Sequence, residues 1–349
     1  MSLTYQAPIA ADEVIRILRE APESVCFLDV RSQKEWRKAA IPGFLNAPIL
    51  DDDQRHKVGL TFKQAGQRAA IDLGHSLVAR DACVARWRDM AKEKPIYVTC
   101  WRGGLRSKIA LEWLREAGLI AYRVAGGYKS MRHVLLDRIA RPPSMVVIAG
   151  LTGSGKTDLI RRLAHGIDLE GLACHRGSSF GALGDQPSQA TFENQLALSL
   201  LSGAHFFVED ESAHIGKIQV PASIIRLIRD TSVIWLVTPL NRRLQRVFTE
   251  YVMEPCQNKS RNEVHMEIQT ALTRIKNQLG GKRYADLAAL VKSSFSNGID
   301  WLDHREWIEL LLIEYYDPMY RHAFHSRRRK VIFQGDIDAC QLWIQHQFA

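Results

Sequence analysis

An apolar run, Met145 to Ala149, passes directly into Gly150-Leu151-Thr152-Gly153-Ser154-Gly155-Lys156-Thr157, and a helical stretch from Asp158 to Leu163 follows at once. No other feature restricts the fold of this chain as tightly. A strand, a glycine-rich turn and a helix in that order are the context that G-x4-G-K-T requires, and they predict a parallel α/β sheet here. The glycines let backbone N–H groups close on a phosphate, with Gly150, Gly153, Ser154, Gly155, Lys156 and Thr157 as the candidate diphosphate-binding set. Lys156 supplies a point charge, and the Thr157 hydroxyl is a candidate Mg²⁺ ligand. The motif alone does not separate kinase or ATPase use from the binding of another diphosphate. Just upstream, Arg141-Pro142-Pro143 cannot continue a helix and predicts a linker over 139–144, between a domain at 10–138 and a second at 145–349.

A second loop in the same kind of setting lies in the first domain. Pro95 to Thr99 has the bias of a short buried strand, and Leu105 to Ala117 carries Ile109, Ala110, Trp113 and Leu114 at helical spacing. Between them stands Cys100-Trp101-Arg102-Gly103-Gly104-Leu105-Arg106-Ser107. A thiol at a helix N-terminus, beside two guanidinium groups, is expected to ionise and to act as a nucleophile. Cys100 is therefore the candidate catalytic residue, and Arg102, Gly103, Gly104, Leu105, Arg106 and Ser107 are the candidate cradle for an oxyanion.

This C-x5-R-S pattern resembles the active-site loop of the rhodanese family and of the phosphatases that share its fold. The landmarks ahead of it also match: Asp29-Val30-Arg31-Ser32, Glu35-Trp36, and Ile41-Pro42-Gly43-Phe44-Leu45-Asn46-Ala47-Pro48. Downstream, Tyr122 to Val124 and Gly126-Gly127-Tyr128 resemble the family's last strand and double-glycine turn. The resemblance implies a parallel sheet flanked by helices. It also implies a loop longer than that of most sulfurtransferases, suited to a tetrahedral, phosphate-sized oxyanion. Asp12 is expected to cap a helix with Val14, Ile17 and Leu18 on its apolar face. Between Pro48 and Pro95 an inserted segment, with Asp51 to Asp53, Gly59 to Gln64 and a helix through Trp87, is expected to be packed and to cover the active site.

Charge and composition limit the function classes. Lys and Arg number 47 against 38 Asp and Glu, a net charge of +9 that lies mostly before Ala140 and favours a polyanionic partner. No apolar run is long enough to span a bilayer, and the N-terminus lacks the pattern of a signal peptide, so the expected location is the cytoplasm with no membrane partner. Six scattered cysteines without C-x-x-C suggest neither a zinc site nor a disulfide framework, and no tightly bound cofactor is expected.

Within the second domain, Ala204 to Val208 and Ser232 to Val237 read as buried strands. The first ends in Glu209-Asp210-Glu211, the position of Walker B-like acids that organise a metal or its water. Arg242, Arg243 and Arg246 form a basic helix face. Residues Asn262 to Gln278, Tyr284 to Lys292 and Asp303 to Tyr315 predict helices, with Trp301 and Trp307 in the core. Arg327, Arg328, Arg329 and Lys330, near Tyr315, Tyr316 and Tyr320 and ahead of an edge strand at Val331 to Phe333, are candidate contacts for a tRNA backbone with stacking bases.

Taken together, the two loops, the inserted Val58-Gly59 and Phe62-Lys63-Gln64, Arg176 to Gly181, Val208 to Ser212 and Ile215-Gly216 resemble the tRNA 2-selenouridine synthase family over essentially the whole chain. Leu60-Thr61-Phe62 diverges from that pattern. The resemblance implies a rhodanese-like domain followed by a P-loop α/β domain with a helical C-terminal part. It implies a transferase that replaces sulfur by selenium in 2-thiouridine at the tRNA wobble position. Selenophosphate is the donor, and an S-geranyl intermediate is made first from geranyl diphosphate. An enzyme that makes selenophosphate becomes an expected partner. Cys100 would carry selenium as an S-selanyl adduct, and the P-loop would take geranyl diphosphate in place of ATP. The rival readings are a rhodanese-type sulfurtransferase or phosphatase fused to an ATP-dependent P-loop module, and a regulatory RNA-binding protein.

Overall fold

The computed structural model describes residues 7–177, 180–181, 184–203, 205–327 and 329–348. The chain divides into two compact units, 1–141 with 188–202, and 142–187 with 203–349.

The first unit is built on a four-stranded parallel sheet in the order Phe44–Asn46, Cys26–Asp29, Ile96–Thr99, Ala121–Arg123. Every residue of Cys26–Asp29 is buried, as expected for an interior parallel strand with helices on both faces. Helix Ala11–Glu20 buries Ala11, Val14, Ile15 and Leu18, the spacing of one helical face. Ala10 occupies its N-cap position, so Asp12 lies in the first turn and is not the cap, and Ile15 takes the buried place expected of Ile17.

The insertion is helical. Asp51 caps Asp52–Leu77 through a capping box with Gln54, and the helical run breaks at Gly66, where φ is 82°. Only glycine adopts that conformation cheaply, and the chain doubles back there: Gln54 Nε2 donates to the Leu77 carbonyl at 3.0 Å. A second helix, Arg80–Ala91, buries Val84 and Trp87 in the same core as Leu28, Val98 and Leu114.

Residues 188–202, assigned from sequence to the second domain, belong to the first unit. Helix Gln189–Ser199 packs on Gly127–Ala140, and the contact is polar as well as apolar. Buried Asn194 donates to the Ala40 carbonyl at 2.7 Å and accepts from Arg132 at 2.8 Å, while Arg138 Nε donates to the Leu200 carbonyl at 2.8 Å. Linear reading missed this because the partners are far apart along the chain.

The second unit has a five-stranded parallel sheet in the order Val331–Gly335, Val233–Leu236, Ser144–Ala149, His205–Glu209, Gly166–Ile167. Val331–Gly335 is an edge strand, as expected. Helices from Leu240–Phe248 to Trp301–Leu311 form a separate apolar cluster around Leu272, Trp307 and Ile308, with Trp301 packed against it. Two π-helical turns interrupt this region, Thr249–Met253 and Leu312–Tyr316, a distortion common near functional sites. In both units the reactive loop follows the carboxyl end of an interior parallel strand, where open α/β sheets place their ligands.

Candidate functional sites

In the first unit, strand Ile96–Thr99 ends at Cys100, and helix Leu105–Glu116 begins five residues later with Gly104 at its N-cap. The first-turn N–H groups of that helix lack intrahelical acceptors and point back toward the loop. Cys100 Sγ donates to Ser107 Oγ at 3.2 Å, and Ser107 Oγ donates to the Gly104 carbonyl at 3.1 Å. The loop's shape depends on the double glycine that follows strand Ala121–Arg123. Gly126 and Gly127 have φ of 65° and 62°, and a Cβ on Gly127 would lie 2.3 Å from the Cys100 carbonyl oxygen. Tyr128 N–H donates to that same oxygen at 2.8 Å, and the Tyr128 ring stacks on Trp101 at 5.2 Å.

Two features depart from the sequence reading. Cys100, expected to be an ionised thiol at a helix N-terminus, is only 3% exposed and lies beneath the loop. Arg106, expected to be free for an oxyanion, is held by Glu35 through both guanidinium nitrogens, the Nη2 bond being 3.2 Å. Burial pushes the Glu35 carboxyl up, but the Arg106 guanidinium, the Ser32 N–H and Arg55 outweigh it and hold it below its ordinary value. Glu35 also completes the capping box of helix Gln33–Lys38 with Ser32. Arg102, by contrast, is exposed at the mouth of the loop. Asp29 and Arg31 pair with each other in the core, and Arg31 lies 4.2 Å from the Tyr128 ring centroid, so these landmarks brace the loop from beneath.

In the second unit, Lys156 Nζ donates to the Gly150 carbonyl at 3.0 Å and Thr157 Oγ1 donates to Glu209 Oε1 at 2.7 Å. Gly153 and Gly155 have φ of 74° and 90°, which a side chain would strain. The loop is braced from behind by two of the arginines read as a basic face. Arg243, buried and paired with Asp317 at 2.9 Å, donates to the Thr152 carbonyl, and Arg246 donates to the Gly153 carbonyl, each at 2.8 Å. Arg242 of that trio remains exposed. A pocket of about 470 Å³ opens over the loop, lined among others by Lys156, Thr157, Arg176, Glu209, Glu211 and Tyr320.

The three consecutive acids have separate fates. Glu209 is buried against Thr157, the position of a Walker B carboxylate, and Glu211 lines the pocket. Asp210 also borders the pocket, and its carboxylate accepts from Tyr320 Oη at 3.0 Å, from Arg327 at 3.0 Å and from Arg329. The basic run, a candidate contact for tRNA, is thus engaged in part within the second unit. The Arg329 side chain is 2% exposed in its ion pair, and Arg327 shares the same carboxylate. Lys330 is exposed, whereas Arg328 lies outside the described residues. Tyr316 is buried, while Tyr320 lines the pocket and its Oη accepts from the Gly150 N–H at 3.3 Å. Of the run 176–181, Ser178 and Ser179 lie outside the described residues, while Arg176 reaches Glu254 at 3.1 Å beside the pocket.

Burial first, then Glu170, Glu211 and Asp168, push the Glu209 carboxyl far above its ordinary value. Burial and Glu170 push Glu211 to about 8, against the opposing pull of Lys156. Among the described residues no group of three or more His, Cys, Asp or Glu is arranged to hold a metal. The oxygen donors of Thr157, Glu209 and Glu211 nevertheless suit Mg²⁺, which takes few protein ligands and completes its shell with water and substrate phosphates. The raised carboxyl groups also give a testable pH dependence. A folded-state carboxyl that keeps its proton above the unfolded value loses stability as pH rises between the two. Without ligand, the melting temperature should fall as pH rises from about 5 to about 8. Glu211→Gln should flatten that slope, and Mg²⁺ with pyrophosphate should oppose it. An unchanged slope in Glu211→Gln would remove this acid from the coupled cluster.

Residues 143–349 match the family model described as the tRNA 2-selenouridine synthase AAA domain, and residues 10–133 match the rhodanese-like domain. A relative from Cupriavidus pinatubonensis, named tRNA 2-selenouridine synthase, is 40% identical over 347 residues, covering 92% of this chain and 95% of the relative. One of the same name from Bordetella bronchiseptica is 43% identical, covering 88% and 91%. Another, from Shewanella piezotolerans, is 38% identical and covers 96% and 98%. No described helix is long and apolar enough to cross a membrane.

Proposed function

The chain belongs to the tRNA 2-selenouridine synthase family, and from that premise we propose that it is a cytoplasmic transferase that converts 2-thiouridine of tRNA to 2-selenouridine in two steps. In the first, the thiocarbonyl sulfur attacks the allylic carbon of geranyl diphosphate. A sulfur–carbon bond forms, the carbon–oxygen bond breaks, diphosphate leaves, and the ring nitrogen loses its proton. In the second, the selenium of selenophosphate bonds to the ring carbon and the geranylthio group leaves as geranylthiol; the phosphorus–selenium bond then breaks, and the phosphoryl group passes through the Cys100 sulfur to water and leaves as phosphate. The order follows from leaving-group chemistry: sulfur held as a thiocarbonyl leaves poorly, and alkylation makes it a competent leaving group.

The observation that carries this reading is the pairing of a thiol, Cys100, at a helix-capped loop with a separate diphosphate cradle around Lys156. Cys100 takes the phosphoryl group and not selenium, because selenide-level selenium enters an S–Se bond only with an oxidant, and the first-turn N–H groups of Leu105–Glu116 with Arg102 hold the donor's oxyanion. Arg106, tied to Glu35, sets the electrostatics of that cradle from one side. Lys156 and the loop N–H groups hold the diphosphate, with Arg176 lining the same pocket. Thr157, Glu209 and Glu211 would hold Mg²⁺, which when bound supplies positive charge for a departing diphosphate. A selenophosphate-producing enzyme is the expected supplier of the donor.

Mass analysis of tRNA nucleosides tests the reading. With geranyl diphosphate alone, thiolated tRNA should gain S-geranyl-2-thiouridine, and adding selenophosphate should convert it to 2-selenouridine, without ATP. Turnover of a generic aryl phosphate with no change in nucleosides would support the phosphatase reading. An absolute ATP requirement would favour the nucleotide-dependent one.

A further inference from the structure

Beside the Cys100 loop, the helical hairpin Asp52–Leu77 and helix Leu105–Glu116 enclose a groove of about 1040 Å³, larger than the pocket over the phosphate loop. It shares Arg102, Gly104, Leu105 and Arg106 with that loop, and its walls include Val58, Phe62, Ile71, Ile109 and Trp113. Three of the apolar side chains lining it stay open to solvent: Leu60 at 42%, Phe62 at 55% and Leu105 at 43%. Large apolar side chains gathered on one concave surface mark a binding site more often than an ordinary exterior. The groove also carries cations, with Arg55, Lys63 and Arg102 among its lining residues and no Asp or Glu among them.

We propose that this groove seats the apolar chain carried on the sulfur of the modified nucleoside, while the cations of its lining receive the phosphates of the RNA. The proposal rests on the two-step reading above and places the prenyl group in the first unit during selenium delivery, next to the thiol. Two properties select this occupant. An apolar chain fills the space between the hairpin and the helix, and a polyanion on the same molecule matches the cations that Glu35 leaves unpaired there, Lys63 and Arg102. A free hydrocarbon would use only the first property, and unmodified RNA only the second.

The test is equilibrium binding of an anticodon stem-loop carrying S-geranyl-2-thiouridine against the same RNA carrying S-methyl-2-thiouridine, using the full chain. The wild type should prefer the geranyl form by at least about tenfold. Ile71→Trp on the hairpin wall and Ile109→Trp on the helix wall, each checked for an unchanged melting temperature, should bring the ratio close to one and leave S-methyl RNA affinity within about twofold. A wild type without the preference, or two folded variants that both keep it, overturns the proposal. Because binding is read without turnover, a wild type that prefers geranyl RNA yet makes no 2-selenouridine sinks the reaction scheme and leaves the groove assignment standing.

Discussion

Cys100→Ala is expected to lower selenation on the order of 10⁴-fold while geranylation stays within about twofold of wild type. The variant should accumulate S-geranyl-2-thiouridine, read by mass analysis of nucleosides. The split follows from where the residue sits. Cys100 Sγ has Ser107 Oγ as a partner in the loop of the first unit, and the diphosphate cradle is built entirely from residues of the second. Removing one buried sulfur should cost about 1 kcal/mol, too little to unfold a domain of this size. Comparison with Cys100→Ser, which preserves the loop's shape, separates a lost nucleophile from a disturbed loop. If both steps fail in a folded variant, selenium transfer and alkylation share a site and the two-site scheme is wrong.

Lys156→Ala should produce the complementary phenotype. Geranylation is expected to fall about 10²- to 10³-fold, the range for losing one preorganised charge at a developing oxyanion, while conversion of RNA already carrying the geranyl group continues. In the structure the ammonium group donates to the Gly150 carbonyl and lies 5.5 Å from the Tyr320 ring centroid, facing the acids of the pocket. Its loss therefore removes charge from the cradle and leaves Glu170 and Glu211 without a cation that opposes their raised pKa values. Steady-state alkylation with geranyl diphosphate in the absence of ATP measures the effect. Equal loss on thiolated and pre-geranylated RNA would mean that the P-loop serves both steps.

These two experiments bear on the parts of the molecule that a linear reading reaches best. Both loops lie where an apolar strand hands over to a helix, and local chemistry accounts for each: glycines at positive φ, a residue of the right type at the helix start, and a strand end that aims it. The strands around Leu28, Val98, Ile148 and Val208 were likewise legible, because buried parallel strands are short apolar runs.

What the sequence by itself determined is the pair of strand–loop–helix units, the candidate thiol and candidate phosphate loop they carry, and the family to which the chain belongs. These depend on neighbours along the chain, whose spacing is covalent. Tertiary structure alone decided which charges remain free. Glu35 neutralises Arg106 from 71 positions away, and Asp210 gathers Tyr320, Arg327 and Arg329 from more than 100 positions away. It also returned residues 188–202 to the first unit and folded the insertion at Gly66 into one wall of an apolar groove. A side chain's charge is written in its residue type, but its partner is chosen by packing. Desolvation forces a buried cation to find the nearest carboxylate in space, wherever that lies in the chain.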